Sequence, residues 1–236
     1  LAMLAGDPAT ARRLAWKLFS FFAYEVALDD PRLDPLVALY FQHDTHIKPL
    51  VRHILLSAEF QSPQARQQRV KSPMEFLVGS LRMLQATLSD DEPHETTIGE
   101  WTRSLGQALC DPPSVFGWQE GAAWVSMNYL LQRNLIAARI AAGRDASADP
   151  LHWQVKSVLG PKSKWSKLAP TDVVERCRVG LGRPELAATT RQLLIQYLSM
   201  GDWGTPTPFA LDDTSADEKV RGLIALLLSI PEYQLA

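Results

Sequence analysis

Two carboxylates, Asp111 and Glu120, flank a short irregular stretch that also holds Trp118 and leads into Trp124. Paired acids at a suitable separation carry out glycoside hydrolysis, one as proton donor and the other as base or nucleophile, and an indole face stacks well on a sugar ring. Each residue also has a plainer reading. Glu120 would favour the N-terminus of the following helix through the helix dipole, and large aromatics are mostly buried anchors. Pro112 and Pro113 stiffen the stretch and remove donors, while Gly117 and Gly121 permit turns that a side chain forbids, so the segment is expected to be a rigid platform. On that expectation Gln107, Trp118 and Trp124, with Arg133 and Asn134 on the next helix, form a ligand-binding set for a partner protein or a glycan. The rival is a hydrolase acting on polysaccharide through Asp111 and Glu120, and whether the chain is an enzyme at all is left open.

A second constellation is His43, Asp44, His46 and His53, nitrogen and oxygen ligands close in sequence of the kind that suits zinc, with His43 and His46 as the candidate ligands. Their spacing is loose, and solvated or capping histidines are the plainer reading. No metal or other cofactor is expected. Cys110 has no histidine nearby in sequence, which argues against a thiolate nucleophile. Whether Cys110 and Cys177 pair is open, because two thiols must meet a narrow geometry before they can bridge.

The elements that must position these residues are helices. Asp7-Pro8 is an N-cap followed by proline at the first helical position, opening a helix to about Ala23 with Ala11, Leu14, Ala15, Leu18 and Phe22 at helical spacing. Asp34-Pro35 repeats the device. Further helices are predicted from Ile47 to Ala58 and from Pro63 towards Val70. Ser72-Pro73-Met74-Glu75 is a capping box opening a helix through Leu88, with Phe76, Leu77, Leu81 and Leu84 inward. Glu75 thereby has a structural role, and Lys71 and Arg82 are expected in structural ion pairs. Thr97 to Glu100 offers a second box, Trp124 to Ala142 reads as the longest helix, and helices follow at about 172–179, 184–199 and 216–229, the last opened by a box from Ser215 to Glu218. Asp90 to His94 reads as an acidic loop, Asp145 to Pro150 as a polar linker, Gly160 to Pro170 as a mobile loop with three lysines around Trp165, and Met200 to Asp213 as a long connection packed by Trp203 and Phe209. No segment alternates with period two. The expectation is one all-α domain over residues 1–236, an irregular bundle of about eight to ten helices with long loops and a possible sub-boundary near 143–150.

Bulk composition removes several functions. With 24 basic and 26 acidic residues there is no whole-chain basic field for nucleic acid or an anionic membrane surface. The longest apolar run, Leu223 to Leu228, is far short of the roughly 20 residues that span a bilayer. One internal echo stands out: Val51 to Gln61 and Val220 to Gln234 each end an apolar helix in serine, then glutamate, an aromatic and glutamine. A reused helix terminus explains it most simply.

Several landmarks together carry a family resemblance. They are Asp7 to Arg12 with Trp16-Lys17-Leu18, Val70 to Phe76 with Leu81-Arg82, Gly106-Gln107 through Pro112-Pro113-Ser114-Val115 and Gly117-Trp118 to Gly121 and Trp124, and the closing Ser229 to Gln234. The chain resembles the C-terminal half of the bacterial proteins grouped as domain of unknown function 1800. That resemblance implies an exported protein, periplasmic or extracellular, often carried by a twin-arginine signal and encoded beside another exported family, and it implies that this chain is the C-terminal part of a longer protein. It also turns the hydrolase alternative towards cell-envelope polysaccharide and the binding alternative towards another exported protein or a glycan. The chain departs from the family pattern at Asp7, where histidine commonly precedes the proline, and at Cys110, where an aromatic is common.

Overall fold

The computed structural model describes residues 2–88, 94–144, 151–201, 204–205 and 207–236. Among them the chain is all-α. The described residues form twelve α-helices, of which α1 (Ala2–Ala5), α5 (Ala58–Gln61) and α9 (Val155–Leu159) have five residues or fewer, and a single two-stranded ladder. It divides into two compact units, residues 1–69 with 235–236 and residues 70–234. The expected sub-boundary near 143–150 thus falls inside the second unit, and its residues 145–150 lie outside the described ones, as do 89–93 and Trp203. None of the described helices is long and apolar enough to cross a membrane.

In the first unit α2 (Pro8–Phe22), α3 (Asp34–Gln42) and α4 (Ile47–Leu56) pack on one another. Asp7 accepts the Ala9 N–H at 2.7 Å, as an N-cap should, and Ala11, Ala15 and Phe19 are the face that α2 buries against Leu33, Leu36, Tyr40, Leu50 and Ile54. Asp34 does not cap α3. It is the first residue of that helix, preceded by a 3-10 turn over Pro31–Leu33, and its carboxylate pairs with Arg12 of α2. The helix predicted to run to Ala58 stops at Leu56, because Ser57 turns extended and uses its side chain to cap α5 through the Phe60 N–H at 3.2 Å. Beyond Ser62 there is only a 3-10 turn, Pro63–Ala65.

The second unit is built on α8 (Met127–Ala142) lying along α12 (Asp213–Ser229). Ile136, Ala137, Ile140 and Ala141 meet Val220, Leu223, Ile224 and Leu227 in its core, where the small alanines allow close approach. Around this pair sit α6 (Pro73–Met83), α7 (His94–Ser104), α9, α10 (Pro170–Gly180) and α11 (Ala188–Leu198). The capping box on α6 forms in both directions, Ser72 to the Glu75 N–H and Glu75 back to the Ser72 N–H, and Phe76, Leu77, Leu81 and Leu84 are all buried. The helix ends at Met83 instead of Leu88: Gln85 takes φ +53, the Ala86 N–H reaches back to the Leu81 carbonyl, and Thr87–Leu88 become β1, antiparallel to β2 (Leu151–His152). The α12 box uses Asp212 and Ser215, starting the helix earlier than the Ser215–Glu218 pairing predicted. α7 likewise begins at His94, ahead of the predicted Thr97 start.

Candidate functional site

The irregular stretch after α7 is built from a helix terminus outward. Gly106 ends α7 in a left-handed conformation, φ +89, with its N–H on the Arg103 carbonyl and the Gln107 N–H on the Thr102 carbonyl. That pair of bonds is the Schellman terminus, and glycine suits it because a Cβ is disfavoured at positive φ. The Tyr129 ring adds a second demand, since a Cβ on Gly106 would lie 2.7 Å from it. The Gln107 side chain then accepts the Met74 N–H at 3.0 Å, supplying a partner to an otherwise unsatisfied donor in the first turn of α6. Further on, Ser114 and Gly117 close a turn, with the Gly117 N–H on the Ser114 carbonyl and the Phe116 N–H on Ser114 Oγ. Trp118 ties the loop across itself by donating Nε1–H to the Ala108 carbonyl at 3.0 Å. A 3-10 segment, Gly121–Val125, leads into α8 and carries Trp124 inward.

A second cluster joins motifs far apart in sequence. Arg133, fully buried on α8, donates from Nη1 to Gln234 Oε1 at 3.0 Å and from Nη2 to the Lys71 carbonyl at 2.7 Å, and its guanidinium lies 5.1 Å from the Phe76 ring centre. Both acceptors are neutral oxygens. Burial draws the Arg133 pKa down to about 10. Lys71 donates from Nζ to the Tyr233 carbonyl at 2.7 Å, 3.6 Å from that tyrosine's ring centre, while its backbone N–H meets the Gln234 carbonyl at 2.8 Å. Burial pulls the Lys71 ammonium down to about 8, opposed by the charge of Glu75 and helped by that of Arg133. Gln234 completes the cluster through Nε2–H to the Leu228 carbonyl at 2.7 Å, and the Tyr233 hydroxyl lies 2.9 Å from Ser80 Oγ. The terminal Glu-Tyr-Gln is therefore a plug, held by the residues just before the α6 capping box and by the one buried arginine of α8.

A family model described as "Protein of unknown function (DUF1800)" matches residues 1–235. The chain belongs to this family. No curated protein and no solved structure is similar enough to this DUF1800 chain to count as a match.

Of the residues that the sequence analysis assigned to binding, Gln107 is occupied as a cap on α6, Trp124 is buried at 7% exposure, Trp118 is half-buried with its N–H engaged, Arg133 is interior, and Asn134 is exposed. Nε1–H of Trp124 and Nε–H of Arg133 are buried with no partner among the described residues. The loop turns a different face outward: Val115 and Phe116 are 96% and 94% exposed. Asp111 and Glu120 are both exposed, and neither lines the cavity of about 330 Å³ found beside Trp153 and Trp165. His43 follows α3 and His46 precedes α4, and among the described residues no three His, Cys, Asp or Glu side chains gather so as to hold a metal ion. Cys110 is exposed and Cys177 buried, both as free thiols, and burial pushes the Cys177 thiol pKa up. The Arg133–Gln234–Lys71 cluster went unseen in the sequence, although both of its motifs were visible there. The signal was the echo: two copies of the same helix terminus, only one of them with an arginine to receive it.

Proposed function

We propose that this DUF1800 protein is a binding module that recognises a partner protein through the outer side of residues 107–135. One observation carries this reading. A loop stiffened by Pro112 and Pro113, closed by the Ser114–Gly117 turn and braced by Trp118, holds Val115 and Phe116 almost wholly in solvent. Apolar side chains gain nothing in water, and a rigid loop loses little conformational freedom when such a tip is buried in a partner. The same stretch exposes Leu109 and, at helical spacing along α8, Met127, Leu131 and Leu135. The tip is convex, so the partner it suits offers an apolar hollow that takes one aromatic ring. The indoles support a glycan platform less well, because neither is presented as an open face. Export to the periplasm or beyond is part of the proposal and rests on the family's implied habit.

The test is a quantitative binding comparison with the partner that co-purifies from the native host. The Val115→Ser/Phe116→Ser variant should lose that partner by at least tenfold in affinity, while Leu193→Ser, a control at another exposed leucine, should keep it. Unchanged affinity in a folded double-serine variant would overturn the reading. Fractionation of the host cells checks export separately.

A further inference from the structure

We infer that α8 pairs with α8 of a second copy of this chain, the two helices antiparallel across an exposed stripe of large and small apolar residues. α8 is apolar on two sides. One is the core face against α12, formed by Ile136, Ala137, Ile140 and Ala141. The other carries Met127, Leu131, Leu135, Ala138 and Ala142, all exposed, the first three each more than half in solvent. A surface helix ordinarily keeps one apolar stripe for the core and turns polar residues to water, and a helix apolar on both sides is one that is covered on both. The inference rests on the reading above in one respect, that the outer side of α8 meets a protein. It assigns that side to a second copy and leaves the Val115–Phe116 tip to the other partner.

Spacing and size select that occupant. Leu131, Leu135, Ala138 and Ala142 follow one another at four, three and four residues, the repeat with which one helix lies along another. The large residues stand at the N-terminal end of the stripe and the small ones at its C-terminal end. Turned about a two-fold axis at the level between Ile136 and Ala137, a second α8 sets its Ala142 against Leu131 and its Ala138 against Leu135, and both pairs recur beyond the axis. Each leucine thereby enters a hollow over an alanine, where two helices can approach closely. A parallel pair would instead crowd leucine on leucine at one end and leave alanine facing alanine at the other. Charge agrees. A surface that meets its own copy meets each of its charges again, and like charges brought together are costly. α8 has two charged residues, Arg133 turned into the core and Arg139 at the edge of the stripe. In the antiparallel pair Arg139 comes alongside Gln132 of the second copy, a neutral acceptor, and lies farther from its own counterpart. Asn128 and Asn134, exposed at the two margins, end the stripe in polar residues.

Sedimentation velocity on the 236-residue chain, from low to several hundred micromolar, tests it. One helix on one helix is a small contact, so the chain should pass from monomer to dimer within that range. Leu131→Lys/Leu135→Lys brings like charges together near the axis and should weaken self-association by about tenfold or more. Both positions are exposed, and circular dichroism checks that the fold is kept. Ala138→Gln, a mild change at an exposed helix position, fills the hollow and should weaken the dimer as well. Orientation is read in a Cys110→Ser background, which removes the exposed native thiol. Under mild oxidation Leu135→Cys should there cross-link to Ala138→Cys faster than either does to itself. A chain monomeric throughout, a dimer that survives either α8 variant, or faster self-linkage of Leu135→Cys overturns the inference. Val115→Ser/Phe116→Ser should leave the dimer intact, and its loss in that variant would put the self-contact at the tip and likewise overturn it. The partner-protein reading is judged by affinity for the co-purifying partner, so the two can fail separately.

Discussion

Replacing Gln234 with leucine tests the claim that the second unit is closed by its own C-terminal plug. The substitution keeps the side chain close in size, so little cavity is made, but it removes two short hydrogen bonds and a long one, 3.4 Å, to the Ile230 carbonyl. Arg133 Nη1 loses its acceptor at 3.0 Å, and the Leu228 carbonyl loses a donor at 2.7 Å. A hydrogen bond to a charged group contributes about 1.5–3 kcal/mol and a neutral one about 1 kcal/mol, so the expected loss is about 3 kcal/mol. For a unit of this size each kcal/mol moves Tm by roughly 2–4 °C, giving a fall of about 6–12 °C by circular dichroism. The larger part of that cost comes from a buried guanidinium left without its acceptor. It follows that Arg133→Met/Gln234→Leu should recover much of the loss, since an apolar pair in place of a buried charge is often neutral or stabilising. A single-variant shift below about 2 °C, or a double variant as unstable as the sum of its singles, would refute the reasoning.

Other outcomes follow from the same geometry. Lys71 is held at about 8 when folded, below its ordinary range near 10.4, so below pH 8 both folded and unfolded chains carry the proton and the burial penalty is fully present; between about pH 8 and 10.4 the unfolded chain binds more protons and stability rises with pH. Urea midpoints across that window should rise in the parent relative to Lys71→Met, and parallel curves would count against the assignment. Gly106→Ala combines a disfavoured φ of +89 with a Cβ 2.7 Å from the Tyr129 ring and should cost about 2–3 kcal/mol, read from the urea midpoint. Gly143→Ala sets a Cβ 2.7 Å from the backbone carbonyl of Leu151, where no side chain can yield, and should destabilise to a similar degree. Val115→Ser/Phe116→Ser should leave Tm within about 1–2 °C of the parent, because substitutions at fully exposed positions stay within about 0.5 kcal/mol.

What could be read in the amino acids alone was whatever depends on neighbours a few residues away. Asp7 capping α2, Ser72 and Glu75 closing the α6 box, and the inward set Phe76, Leu77, Leu81 and Leu84 all follow from bonds and spacings of two to four residues, so the all-α class and the cores of most helices were legible. Helix ends were less so. Ser57 and Gln85 each stop a helix whose apolar pattern runs on, since a terminus is a contest between local bonding and the next element's needs.

The site depended on long-range partners. The Glu-aromatic-Gln ending that follows a serine is exposed at Phe60 and Gln61 and buried at Tyr233 and Gln234, where Arg133, 101 positions from the glutamine it binds, is one of the partners that receive it. Gln107 becomes a cap for Met74, 33 positions away, and the direction of the loop's indoles was decided by which carbonyls and helices fold around them. Local sequence determines which backbone shapes are cheap, because those energies come from adjacent residues. Which polar groups end up satisfied, and which apolar ones stay in water, is decided only when distant segments compete for the same interior.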